Sequence, residues 1–252
     1  PPRSTLFPYT TLFRSARGGS VAERIEASRA LPARLPSGNL LVVDPDSRLT
    51  QLGLVPVCPE ENYRFFESRG YQAETSKTLA ELTRDWVREI FGVDASGYVA
   101  PLPAEGSGSV TVSLGVGGNL AKSAGPAFER GLIQGLVARG LRVLIDYGAG
   151  EEEEERVRHA IDGLPLATWQ GAFAPFAAAV TRSRLYIGYD SAGQHVAAVS
   201  GVPLVTVFGG YATSRTFERW KPYGPGPKVV LQPTPRVLAE TLAAVDRLLH
   251  LP

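Results

Sequence analysis

Across 252 residues, 26 Lys and Arg face 25 Asp and Glu, so the net charge is +1 and no overall field marks a nucleic-acid binder. Hydrophobic residues make up 44% and charged residues 20%, a normal globular balance, and no apolar run reaches the ~18–20 residues of a membrane span. A lone cysteine, Cys58, excludes an intrachain disulfide framework, and three histidines beside it speak against a structural zinc site.

The chain contains no methionine, which predicts a sequence truncated at its N-terminus. Pro1–Ser15 (PPRSTLFPYTTLFRS) has no capping signal and no sustained period, and it resembles a translated sequencing-library adapter. Residues 21–35 suggest a short helix broken near Pro32. Asn39–Val43 (NLLVV) reads as a buried strand, followed by turn chemistry at Asp44–Ser47. Asn62–Arg69 is aromatic-rich and fits strand or loop. Ser76–Phe91 opens on a serine and repeats apolar residues at Leu79, Leu82, Trp86, Val87 and Ile90, the pattern of an amphipathic helix. Residues 92–108, rich in Gly, Pro and Ser, read as a linker.

Beyond the linker the pattern regularises. Strands are predicted at 110–116, 141–147, 166–169, 185–189, 203–208 and 228–231. Helices are predicted at 126–139, 151–164, 173–182, 191–200 and 235–250. Strands alternating with helices imply an α/β fold with a parallel sheet, whose ligands bind beyond the C-terminal strand ends. Three loops should therefore share one rim: Gly117–Lys122, Asp190–His195 and Gly209–Thr213.

The first loop, Gly115-Val116-Gly117-Gly118-Asn119-Leu120-Ala121-Lys122, permits close backbone approach and ends in a point charge suited to phosphate. It matches neither G-x-G-x-x-G nor a Walker A loop, and an ordinary Gly-rich turn with a solvated lysine is an equal reading. In the second, the amides at Ser191–Gly193 would form an anion pocket at a helix N-terminus. The Ser191 hydroxyl adds a donor, and His195, one turn on, shares that helix face. Asp190 as a plain N-cap and His195 as a packed histidine remain open. In the third loop, Arg215, Arg219, Trp220, Lys221 and Tyr223 follow Gly209–Ser214 and could contact a nucleotide or lie in solvent. The glutamate run 151–155 favours a helix N-terminus and is expected to sit in solvent rather than bind metal.

Together these loops resemble the ADP-heptose:lipopolysaccharide heptosyltransferases, glycosyltransferase family nine. The resemblance rests on Leu185–Gly209 (LYIGYDSAGQHVAAVSGVPLVTVFG), with support from GVGGNLAKSAG and from FAPFAAAVTRS at 173–183. It implies a GT-B architecture, two Rossmann-like domains with parallel sheets. The first would be incomplete here: 1–15 non-native, 16–105 a remnant of the acceptor domain plus linker, and 106–252 the nucleotide-sugar-binding domain. It further implies an inverting, metal-independent transferase without cofactor, taking a nucleotide-diphospho-sugar such as ADP-heptose to a glycan or lipid-linked acceptor. Such an enzyme would be cytoplasmic, with peripheral contact at the inner membrane.

Carried over by position, Asn119 and Lys122 would contact the donor, with Lys122 at its phosphate. Asp190 would orient the donor, Ser191, Ala192 and Gly193 would hold its diphosphate, and His195 would support that site. Two positions depart from the family pattern: Ala192 stands where a glycine is usual, and Lys122-Ser123-Ala124-Gly125 lacks the tryptophan of Lys-x-Trp-Pro. No catalytic base is assigned. The family's aspartate lies nearer the true N-terminus than Asp44 and Asp46, so the chain as it stands is expected not to transfer sugar. A non-catalytic nucleotide-sugar-binding module is the alternative.

Overall fold

The computed structural model describes residues 41–45, 60–100, 102, 108–148 and 150–250. The chain groups into two compact units, 1–73 and 74–252. The predicted helix at 21–35 lies outside the described residues.

In the first unit, β1 (Val42–Pro45) pairs in parallel with β2 (Tyr63–Phe66), Val42 opposite Tyr63 and Pro45 opposite Phe66. Asp44 and Pro45 thus belong to the strand, not to a turn. The strand is not the buried one expected, since Leu41 and Val43 are about half exposed. Its apolar run lies in a ladder of two strands among the described residues, too narrow to cover both faces.

The second unit begins with α1 (Leu79–Phe91). Its cap is Thr78 rather than the expected Ser76. The Thr78 side chain accepts from Glu81 N, while Glu81 reaches back to Thr78 N at 2.8 Å. This reciprocal arrangement satisfies two donors of the first turn, and Gly92, at φ +66°, ends the helix. The described linker residues carry no helix or strand, but Val99 packs against the core beneath the later helices.

A six-stranded parallel sheet follows, and its elements are β3 (Val110–Ser113), α2 (Pro126–Ala138), β4 (Val143–Asp146), α3 (Glu151–Ile161), β5 (Ala167–Trp169), α4 (Phe173–Thr181), β6 (Leu185–Tyr189), α5 (Ala192–Val199), β7 (Leu204–Val207), α6 (Ser214–Trp220), β8 (Lys228–Leu231) and α7 (Val237–Leu249). The strand order is β5-β4-β3-β6-β7-β8, every neighbour parallel. This confirms the α/β class and all six strands expected after the linker. Helix α6 is an addition, because its SRTFERW sequence lacks a long apolar stripe.

Every residue of β3, β6 and β7 is buried, as a parallel sheet covered on both faces requires. One core joins Val112, Ile145, Ile187 and Val205 to Leu132 of α2, Val157 of α3 and Val245 of α7. The other joins Tyr186 and Leu204 to Phe176 of α4 and Ala197 of α5. Helices α2 and α7 pack closely because Gly131 and Gly135 leave room for Leu238 and Leu242. A Cβ at either glycine would come within 2.8 Å of those side chains. The sheet grows outward in both directions from the β3–β6 pair, so its topological switch point lies between these strands, where α/β sheets hold ligands.

Candidate functional site

All three predicted loops meet at this switch point, around a pocket of about 590 Å³. Asn119, Lys122, Asp190, Ser191, Ala192 and His195 line it, together with Gly209–Ala212, Thr216 and Trp220. Of the sequence-predicted set, Gly193 is not among the lining residues. It is buried behind the wall, and a Cβ there would run into the Tyr186 phenol. The need for glycine at 193 is therefore a packing need.

Each side chain owes its place to a strand end. β3 runs into a loop whose glycines 117 and 118 adopt φ +60° and +80°, a region open to glycine at little cost. The loop closes in a 3₁₀ turn at Leu120–Lys122, with Asn119 Oδ1 accepting from Ala121 N at 3.2 Å. Lys122 then crosses to the β6 side. Its Nζ lies 2.8 Å from Asp190 Oδ2 and donates to the Asp190 carbonyl at 3.0 Å. From β7, Gly210 passes so close that a Cβ would stand 2.6 Å from the Ala121 carbonyl carbon. Its φ of +67° and this contact both favour glycine. Tyr211 continues into an aromatic cluster with Phe208 and Phe217.

Asp190 is not the helix cap. Ser191 occupies that position, extended at φ −151°, and its side chain makes no capping bond. The hydroxyl stands 3.5 Å from Tyr186 Oη instead. The N-terminus of α5 thus borders the pocket at Ser191 and Ala192 without a side-chain cap, and such uncapped helix starts suit anions.

Sequence reasoning missed Gln194, the hub beneath the pocket. Fully buried, it donates to Asp190 Oδ1 at 2.8 Å and to the Trp220 carbonyl at 3.2 Å, while its Oε1 accepts from Thr206 at 2.8 Å. Helical spacing (190 to 194) could have suggested the first of these bonds. His195 packs edge-on against Trp220. Burial pushes its imidazole below the ordinary value; the Asp190 carboxylate opposes that shift and Lys122 adds to it.

The glutamate run does not lie wholly in solvent as expected. Glu153 accepts from Val116 N at 2.6 Å and Gly117 N at 2.9 Å, holding the upstream half of the Lys122 loop. Glu154 pairs with Arg158 and accepts from Gln170 at 2.8 Å. At the end of β4, Asp146 accepts from Ser113 at 3.2 Å, and burial raises its carboxyl above the usual range. Burial likewise pushes the Tyr186 phenol up to about 12. Among the described residues, no group of three His, Cys, Asp or Glu is placed to hold a metal ion, and no helix is long and apolar enough to cross a membrane.

Comparison with known proteins relates part of this chain to one family. The model of glycosyltransferase family 9 (heptosyltransferase) matches residues 129–241. Lipopolysaccharide heptosyltransferase 3 of Escherichia coli is 32% identical over 97 residues, which cover 36% of this chain and 27% of that protein. The match thus spans about a quarter of the relative's length. Among solved structures, E. coli heptosyltransferase WaaC with ADP superposes with a TM-score of 0.67 at 16% identity, covering 95% of this chain and 82% of the other. E. coli ADP-heptose lps heptosyltransferase II gives 0.55 at 13% identity, covering 91% and 81%. At such identities the structural likeness speaks for the fold.

Proposed function

From the match of residues 129–241 to the glycosyltransferase family 9 (heptosyltransferase) model, we propose that the pocket holds the diphosphate of a nucleotide-diphospho-sugar. We further propose that the protein serves transfer of that sugar, heptose or a chemical relative, to a lipopolysaccharide or other glycan acceptor. The observation that carries the reading is the meeting of the Lys122 ammonium with the uncapped N-terminus of α5 in one pocket at the switch point.

The chemistry follows from those two groups. An acceptor hydroxyl loses its proton to a base and attacks the anomeric carbon from the face opposite the leaving group, inverting the centre. The bond to the diphosphate oxygen breaks, and the nucleoside diphosphate leaves with the charge. The α5 amides and Lys122 stabilise that charge as it grows, so the step needs no metal ion. Asp190 orients Lys122 in this scheme, with one oxygen toward Lys122 and the other accepting from Gln194.

ADP titrated calorimetrically into the 252-residue chain tests the donor site, with and without chelator. Binding that survives chelation supports the reading; binding abolished by it overturns metal independence, and no binding overturns the donor site. Turnover of an ADP-heptose and hexose panel separates a transferase from a module that only binds.

A further inference from the structure

We propose that Glu129 is a positioning residue for this site, holding Lys122 and Asp190 in register through one buried carboxylate oxygen; its functional meaning rests on the donor-site reading above. Glu129 lies in the first turn of α2, is wholly buried, and does not line the pocket. Its Oε1 accepts from the Ser123 hydroxyl at 2.8 Å and from the Tyr189 phenol at 2.9 Å, and pairs with Arg156. Ser123 directly follows Lys122, and Tyr189 directly precedes Asp190. Each member of the Lys122–Asp190 pair is therefore one residue from a group bonded to the same oxygen.

Two backbone bonds close the arrangement. Ala124 N donates to Tyr189 Oη at 3.1 Å, and Gly125 N donates to Ser123 Oγ at 3.0 Å. The downstream end of the Lys122 loop is thereby tied to the end of β6. Glu153 holds the upstream end of the loop through Val116 N and Gly117 N, and this tie holds the downstream end. Arg156 from α3 supplies the counter-charge and also donates to the Leu114 carbonyl, at the exit of β3. The second carboxylate oxygen, Oε2, is buried with no hydrogen-bond partner. A residue present only to fill space would not carry that desolvation cost. Three donors from three separate segments converging on Oε1 fix a geometry that an apolar side chain could not.

The test uses the full chain and the variants Tyr189→Phe, Glu129→Gln and Ser123→Ala. The last leaves the buried Glu129–Arg156 pair intact and guards against misfolding. Amide hydrogen exchange is followed in peptides spanning 117–125 and 189–195, with α7 as the internal reference. Acylation of the Lys122 amine is followed by mass spectrometry, and ADP affinity by calorimetry. Tyr189→Phe and Ser123→Ala each lose two hydrogen bonds, so exchange at 120–125 and Lys122 acylation should rise about tenfold to a hundredfold while α7 stays at its wild-type rate. Glu129→Gln keeps an acceptor oxygen but removes the charge paired with Arg156, so its effect on the same segments should exceed that of both variants. ADP affinity should weaken in the same order. Changes spread evenly over the domain, or none at 120–125, overturn the proposal. If wild type binds no ADP, the donor reading falls, whereas the exchange and acylation pattern still decides whether Glu129 holds Lys122.

Discussion

Lys122 and Asp190 meet at the mouth of one pocket but reach it by different routes. On the Asp190 side, β6 ends at Tyr189 and α5 starts at Ala192, so the junction is short and its path follows from the strand and helix it joins. On the Lys122 side, residues 114–125 separate β3 from α2, and side chains from other elements hold that stretch. Glu153 of α3 grips its start, and Tyr189 and Glu129 grip its end. A short strand-to-helix junction is thus a local structure, whereas a long glycine-bearing loop borrows its geometry from the tertiary fold. Changes to the clamps should damage the Lys122 side first, and changes beneath Asp190 should act through the core.

The largest expected effect is that of Glu129→Ala, which strands Arg156 in a mostly buried setting. Removing one partner of a buried ion pair typically costs ~3–5 kcal/mol, so the urea midpoint should fall steeply. A fall no greater than that of a surface mutant would show that Arg156 rehydrates freely. Gln194→Ala comes next. It leaves the Thr206 hydroxyl, which is fully buried, without its acceptor and removes a donor from Asp190. A loss of about 2 kcal/mol is expected by the same unfolding measurement.

Lys122→Ala should lower the midpoint less than either, because the Lys122 side chain is about a quarter exposed and Asp190 keeps its bond from Gln194. Its larger effect is on binding: ADP affinity should drop by roughly 1–3 kcal/mol in calorimetry, as for a lost charged hydrogen-bond partner. Unchanged affinity would detach Lys122 from the donor. The smallest effect concerns pH. Burial holds the His195 imidazole below its ordinary value of 6.5, so the unfolded chain takes up a proton that the folded chain refuses. That residue's contribution is complete above the ordinary value and is lost as pH falls below it. The urea midpoint should therefore decline between about pH 7 and about pH 5.5, and the decline should be shallower in His195→Gln.

Gly193 and Glu153 show where reading from sequence stops. Gly193 follows Asp-Ser-Ala at a helix start, so sequence logic puts it at a ligand. The structure sets it against the ring of Tyr186, a residue of the preceding strand, and that contact depends on how α5 lies on the sheet. Glu153 stands within five consecutive glutamates, where nothing local distinguishes the one whose position on α3 brings it over the β3 loop. Gln194 carried a helical-spacing signal toward Asp190, but its bonds to Thr206 and the Trp220 carbonyl join segments that only folding brings together.

The sequence by itself determined the alternation of strand and helix after residue 108, and with it the rim on which Lys122, Asp190 and the Gly209–Gly210 loop would gather. Apolar runs and their breakers are local, and parallel pairing then sends every βα loop to the same end of the sheet. The tertiary structure alone decided the order β5-β4-β3-β6-β7-β8, which brings the β3 and β6 loops side by side and makes Lys122 and Asp190 partners. It also decided that Glu129, Arg156 and Tyr189 share one buried oxygen's surroundings. A buried carboxylate draws its donors from whichever segments the packed core delivers to it, and residue spacing along the chain does not encode that delivery.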